Sequence, residues 1–226
     1  MSVCIIIPAG GVGSRFGTST PKQFVELFGQ PIIYHTIHLF DDIDSVKSII
    51  VPVQTQWKDL VSNCKSKKEI ILAKAGKERQ DSVHNALSIA KYLDVDYILI
   101  HDAVRPCASF NLINKIIQAT IDFGAAIPGI TPKDTIKITN ENSFVSKTLY
   151  RPSLKAIQTP QGFRKEIIIK AYQKADELGF YGTDDAYLVE QAGFPIKIIE
   201  GDELNIKITS KEDLLFCEKI ILNNSK

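Results

Sequence analysis

Arg15 and Lys22 are the side chains best placed for chemistry, because of the loop that carries them. Gly10, Gly11, Gly13 and Gly17 fall within eight positions around Arg15, and Pro21 stands just before Lys22. Glycines let a backbone come close to a ligand without a Cβ in the way. A proline fixes φ and so steadies the residue that follows. Reachable amides with two cations beside them form a cradle for phosphates. Asp102, in His101-Asp102-Ala103-Val104-Arg105-Pro106, is the matching acid. A carboxylate facing a polyphosphate calls for a divalent cation between them, and Mg²⁺ prefers few carboxylates plus substrate phosphates. The plainer alternative is that Asp102 pairs with Arg105 and fastens the turn. Lys207, between Ile206 and Ile208, reads as a cation on a strand that otherwise faces the core. Such a lysine needs an anion, and a phosphate would serve.

Two familiar phosphate loops do not fit. A Walker loop needs a lysine directly after its last glycine, and none follows Gly17. A dinucleotide fingerprint needs Gly-x-Gly-x-x-Gly; Gly11 and Gly13 match, but the third position is Phe16. A nicotinamide-dependent oxidoreductase is therefore disfavoured. A nucleotide-binding regulator without turnover is disfavoured by Arg15 and Lys22, which carry more charge than binding alone requires.

The elements that must hold these residues follow from periodicity. Ile5-Ile6-Ile7 and Tyr97-Ile98-Leu99-Ile100 are unbroken apolar runs, as expected for strands buried on both faces of a parallel sheet. Residues 47–53, 69–73, 125–130 and 196–200 read as further strands. Helices are expected over 109–123, ending at Gly124, and over 165–178, ending at Gly179. Ser82 reads as the N-cap of a helix whose buried face is Val83, Ala86, Leu87 and Ala90. Thr183-Asp184-Asp185 opens another helix, and Ser210 with Asp213 makes a capping box for the last. Asp102 falls at the carboxyl end of its strand, where ligands of open α/β sheets bind. Residues of about 132–155 alternate apolar and polar around Asn140-Glu141-Asn142, which reads as a β-hairpin arm needing a partner.

At 226 residues the chain suits one sizeable α/β domain spanning 1–226. A net charge of +1 gives no reason to expect a nucleic-acid or membrane partner. Cys4, Cys64, Cys107 and Cys217 are widely spaced, which reads as four free thiols in a reducing cytoplasm. No basic segment precedes the short apolar run near the N-terminus.

Pro-Ala-Gly-Gly-x-Gly-x-Arg-Phe-Gly at residues 8–17, with Pro-Lys-Gln-Phe at 21–24, resembles the cytidylyltransferases that make CDP-alditols. The likeness runs from residue 3 to about 222 and includes the segments around Arg79, Asp102, Arg151 and Thr159. Two departures stand out in the loops: isoprenoid-pathway members usually carry alanine where Gly10 stands, although the ribitol relatives and some isoprenoid enzymes have glycine there, and the family pattern has glycine where Ala75 stands. At the arm, Tyr150 replaces a usual aspartate. The resemblance implies an α/β, Rossmann-like, mostly parallel sheet with helices on both faces, of the nucleotidyltransferase type, plus the protruding arm. It implies CTP and a sugar-alcohol phosphate as substrates, Mg²⁺ as cofactor, and a cytoplasmic homodimer joined through the arm. Arg15, Lys22, Arg151 and Lys207 would be catalytic. Pro8, Ala9, Gly10, Gly11, Gly13, Gly76, Arg79, Ser82 and Asp102 would bind the nucleotide, with Asp102 also holding the metal and Ser82 reading the base. Arg105, Thr135, Arg151, Thr159, Thr183 and Lys207 would bind the acceptor. Two acceptors fit, 2-C-methyl-D-erythritol 4-phosphate and ribitol 5-phosphate. Arg79-Gln80-Asp81-Ser82-Val83 favours the first, while Gly10, Phe24 and Val104 lean towards the second; the first is the expectation.

Overall fold

A computed structural model describes residues 1–11 and 20–224, so Gly13 and Arg15 lie outside the described residues. The first half of the chain gives β1 (Val3–Ile6), β2 (Glu26–Leu27), β3 (Gln30–Pro31), α1 (Ile32–His38), β4 (Val46–Val53), α2 (Lys58–Ser62), β5 (Glu69–Lys74), α3 (Arg79–Ala90) and β6 (Tyr97–Ile100). The second half gives α4 (Phe110–Phe123), β7 (Ala125–Ile130), β8 (Lys137–Thr139), β9 (Val145–Thr148), β10 (Ala156–Ile157), β11 (Gln161–Arg164), α5 (Lys165–Leu178), α6 (Asp185–Gln191), β12 (Lys197–Glu200) and α7 (Lys211–Asn224).

The central sheet runs β10-β7-β11-β6-β1-β4-β5, with β12 paired to β7. β1 is parallel to β4 and β6, β4 to β5, and β7 to β12; β10 and β11 run antiparallel to their neighbours. Alternation along β1 explains why its apolar run is unbroken. Val3, Ile5 and Ile7 pack into the core on one face, while Cys4 and Ile6 pack into the core on the other. Each fully buried isoleucine is worth roughly 1.5–3 kcal/mol, so this strand anchors the loop that follows it.

Most helix ends match their sequence signals. Ser109 Oγ accepts the Leu112 amide at 3.2 Å, and Gly124 (φ 83°) and Gly179 (φ 67°) close α4 and α5 in the left-handed region. Asp213 Oδ2 accepts the Ser210 amide at 2.8 Å while Ser210 Oγ accepts the Asp213 amide, a reciprocal box at the start of α7.

Three expectations are corrected. The cap of α3 is Glu78, which forms a capping box with Asp81; Ser82 lies one turn inside the helix. Glutamate is a poor cap by type, and the serine masked it. Residues 205–209 carry no strand pairing, and Lys207 is exposed beside the cavity described below. The Ile208 amide instead bonds the Val104 carbonyl at 2.9 Å, which ties this segment to the Asp102 turn. Finally, Cys107 and Cys217 are joined in a disulfide across 110 residues, leaving Cys4 and Cys64 as buried free thiols. Spacing along the chain did not show that α7 folds back on the loop after β6.

The hairpin β8–β9 pairs only with itself among the described strands, with Ile138 opposite Lys147. Asn140 Oδ1 accepts the amides of Asn142 and Phe144 and so builds the turn.

Candidate active site

The carboxyl ends of β1, β5 and β6 carry the loops that begin at Ile7, Ala75 and His101. Together with residues 22–23 and Lys207 they enclose a cavity of about 570 Å³. Pro8, Gly10, Gly11, Lys22, Gly76, Arg79, Ser82, Asp102 and Lys207 all line it. Nine residues expected in the site from sequence are thus brought together from segments that span Pro8 to Lys207.

Asp102 is the electrostatic centre. Its Oδ2 lies 2.9 Å from Lys207 Nζ and 3.3 Å from Arg105 Nε, and its Oδ1 lies 3.6 Å from Arg79 Nε. Burial pushes this carboxyl up, but Arg79, Lys207 and Arg105 outweigh it and hold it well below the usual carboxylate range. The pairing with Arg105 considered above is real, and it is one of three. Lys22 Nζ donates to the Ile208 carbonyl at 3.2 Å, next to Lys207, so the two lysines converge from opposite ends of the chain.

Arg79 is held from behind. Its guanidinium bonds Asp185 Oδ2 at 2.7 Å, and Tyr172 donates to Asp185 Oδ1 at 2.6 Å. Asp185 is 1% exposed. Of the acids expected to open this helix, Asp184 is the cap, accepting the Tyr187 amide at 2.8 Å, while Asp185 turns inward to Arg79.

The Asp102 turn has its own support. The Asp102 amide donates to Thr159 Oγ1 at 3.0 Å, and Thr159 Oγ1 lies 3.0 Å from His101 Nδ1. His101 Nε2 lies 3.0 Å from the Arg105 carbonyl. A carbonyl only accepts, so Nε2 carries the proton, Nδ1 accepts, and the Thr159 hydroxyl donates to it. Burial drives the His101 pKa down to about 4 and keeps the ring neutral, as this chain of bonds requires. Thr159 therefore buttresses the turn: its hydroxyl is buried and occupied on both sides. Asn205 Nδ2 donates to the Thr159 carbonyl at 2.8 Å and Arg105 donates to the Asn205 carbonyl at 2.7 Å, so the same network extends towards Lys207.

The edge of the cavity at Gly76 and Ser82 is tightly built. A Cβ at Gly76 would collide with Asp81, because α3 starts directly over it. Ser82 Oγ accepts the Gly76 amide at 2.9 Å and donates to the Glu78 carbonyl at 3.1 Å. The two departures noted in the sequence meet here: a Cβ at Gly10 would lie 2.6 Å from the Cβ of Ala75 and 3.1 Å from Ser82 Oγ. The contact has room for one methyl, and here Ala75 carries it.

Other expected residues lie elsewhere. Ala9 is buried beneath the loop, and Arg105 sits behind Asp102. Thr135 and Arg151 are exposed on the arm and its base, where Arg151 donates to the Lys133 carbonyl at 2.5 Å. Thr183 lines a separate hollow beside α6. Among the described residues no three His, Cys, Asp or Glu side chains are grouped to hold a metal, and no helix is long and apolar enough to cross a membrane.

Cations gathered round one carboxylate, at the strand ends of a mostly parallel sheet, define a nucleotide-handling α/β enzyme of the nucleotidyltransferase type. Comparison narrows this to one family. The family model described as 2-C-methyl-D-erythritol 4-phosphate cytidylyltransferase (IspD) matches residues 3–223, and the chain belongs to that family. Among curated relatives, the 2-C-methyl-D-erythritol 4-phosphate cytidylyltransferase of Geobacillus thermodenitrificans is 41% identical over 220 residues, covering 96% of this chain and 95% of the relative. That of Dictyoglomus thermophilum is 43% identical over 222 residues, covering 96% and 95%. Among solved structures, the 4-diphosphocytidyl-2C-methyl-D-erythritol synthase of Anaerococcus prevotii superposes with a TM-score of 0.85 at 30% identity, covering 98% of each chain. The fold expectation holds, and of the two acceptors left open the comparisons support methylerythritol phosphate over ribitol phosphate.

Proposed function

We propose that this cavity transfers CMP from CTP to 2-C-methyl-D-erythritol 4-phosphate, releasing pyrophosphate. The observation that carries the reading is the convergence of Arg79 and Lys207 on Asp102, with Lys22 lining the same cavity, which is edged by Gly10, Gly11 and Gly76. A phosphate monoester has its second pKa near 6 and is mostly dianionic at pH 7, so the attacking oxygen needs no general base. The task is to bring two anions together and to stabilise the charge that gathers on the α-phosphorus. Losing one well-placed donor to such charge costs about 3 kcal/mol of barrier. Lys22, with Arg15 from the same loop, suits the α-phosphate. Lys207 is held by Asp102 yet open to the cavity, and can grip the acceptor phosphate.

Asp102 is also the carboxylate that would hold Mg²⁺. Oδ1 is its less committed oxygen, and a single protein carboxylate with substrate phosphates suits this ion. When bound, the ion neutralises and orients the triphosphate and the leaving pyrophosphate. Ser82 spends its proton on the Glu78 carbonyl, which leaves it an acceptor for the cytosine amino group.

A homodimer completes the site in this reading. An isolated two-stranded hairpin is marginal in water, and β8–β9 exposes Phe144 (71%), Val145 (60%) and Ile138 (45%). A second copy would cover that face and receive Thr135 and Arg151, which lie away from their own cavity. A reaction fed by CTP belongs in the cytoplasm, where the Cys107–Cys217 pair would face reducing conditions.

The test is pyrophosphate release with CTP and Mg²⁺, offering methylerythritol phosphate and ribitol 5-phosphate in parallel. Strong preference for the first supports the proposal. Preference for ribitol phosphate moves the acceptor, and release with neither overturns the reaction.

A further inference from the structure

Three consecutive carbonyls of the loop after β1 are each tied to a glutamine. Gln23 Nε2 donates to the carbonyls of Ala9 and Gly11, both at 2.8 Å, and Gln54 Nε2 donates to the Gly10 carbonyl at 2.9 Å. A primary amide has two N–H donors, so Gln23 spends both on this loop. Gln23 is only 4% exposed, and burying an amide is costly unless it is bonded in this way.

The consequence follows from peptide geometry. A peptide unit is planar and trans, so fixing one carbonyl fixes the next N–H in the opposite direction. Gln23 thereby sets the Gly10 amide through the Ala9 carbonyl, and Gln54 sets the Gly11 amide through the Gly10 carbonyl. Gly10 and Gly11 line the cavity beside Lys22. A flipped peptide would turn a carbonyl, rather than an N–H, towards a phosphate.

Gln23 is itself well anchored. It belongs to the 3₁₀ turn Lys22–Phe24, closed by the Phe24 amide on the Pro21 carbonyl at 2.8 Å, with Phe24 stacked on Trp57 at 4.5 Å. The turn that presents Lys22 therefore also aims the loop amides. Gln54 approaches from the end of β4.

We propose that Gln23 and Gln54 are positioning residues that hold the backbone amides of Gly10 and Gly11 in the orientation that receives the triphosphate. The proposal rests on the reading of this cavity as the CTP site. Methionine has nearly the shape of glutamine without its donors, so Gln23→Met and Gln54→Met are the main variants. The expected result is a fall in kcat/KM for CTP of about 10- to 100-fold for Gln23→Met and about tenfold for Gln54→Met. The acceptor KM should stay within about twofold, since the residues assigned to the acceptor lie outside this loop. Gln23→Glu should be worse than Gln23→Met, because a carboxylate would face two carbonyls. A purely space-filling glutamine predicts the two variants equal.

Calorimetric titration with inorganic triphosphate reads the loop without cytosine or acceptor. Wild type should bind it more tightly than either methionine variant. Kinetics and triphosphate binding within twofold of wild type in both would overturn the proposal. If Gln23→Met fails to fold, the half-buried Gln54→Met decides by the same criterion. A wild type that binds triphosphate but does not turn over CTP would overturn the reaction instead, and the triphosphate titrations would still decide the clamp.

Discussion

Adding a methyl group at residue 10 should damage this protein, although loops of this kind usually carry alanine there, and removing the methyl at residue 75 should repair the damage. The Cβ of Gly10→Ala would sit 2.6 Å from the Ala75 Cβ. Carbon pairs prefer about 3.5–4.0 Å, so the overlap is about 1 Å. Neither atom has a rotamer to relieve it, and Ser82 Oγ at 3.1 Å closes another side. Relief must come from the backbone, at the about 1–3 kcal/mol typical of overpacking. Gly10 does not hold a left-handed φ, so alanine also recovers about 0.4–1 kcal/mol by restricting the unfolded chain. The net cost is then about 1–2 kcal/mol, which for a chain of this size lowers Tm by about 2–8 °C. Ala75→Gly alone should cost up to about 1 kcal/mol in added chain freedom. The double variant removes the overlap and should return to within about 2 °C of wild type, a coupling of about 1–3 kcal/mol. Urea unfolding of all four proteins closes the cycle. KM for CTP should rise in Gly10→Ala and recover in the double variant, because the displaced contact joins the first loop to the start of α3. Additive effects would refute the reasoning.

Asp185→Ala strips Arg79 of its buried partner and should destabilise the fold by about 2–3 kcal/mol, less than a fully buried pair because Arg79 keeps Asp102. It should also raise KM for CTP; an unchanged KM would detach Arg79 from the nucleotide. His101 titrates near 4 in the folded protein against an ordinary 6.5, so below pH 6.5 the unfolded chain takes up a proton that the folded one refuses. Stability should fall as pH drops from about 6.5 to 4, at about 1.4 kcal/mol per pH unit from this residue, and urea midpoints of His101→Gln should show a shallower fall. Arg151→Ala should raise the acceptor KM, and mixing it with an Lys22→Ala variant should restore activity if Arg151 serves a partner's cavity; no restoration would keep each site within one chain. Thiol titration of the denatured, unreduced protein should count Cys4 and Cys64 alone, and a count of all four cysteines would contradict the Cys107–Cys217 bond.

The parts of the site legible in the sequence were those whose signal is local. Unbroken apolar runs gave the strands, and residues standing just past them, Pro8, Gly10, Gly11 and Asp102, line the cavity for that reason. What stayed hidden depends on partners far along the chain. Gln23, Gln54, His101 and Asp185 have ordinary polar side chains, and nothing in their neighbours says that they turn inward or what they bond. Thr159, named from the resemblance among the acceptor residues, carries the Asp102 amide, and its hydroxyl meets His101 from 58 residues away, which no local pattern announces. Gly10 and Ala75 are the clearest case. Read singly, each weakens the match to a familiar loop, one by losing a methyl and the other by gaining one. A Cβ built on Gly10 would lie 2.6 Å from the Ala75 Cβ, so the packing between the loop after β1 and the loop before α3 has room for a methyl at one of these positions and not at both. A departure from a motif is evidence against function only when its spatial partner has stayed the same, and here the partner has changed with it.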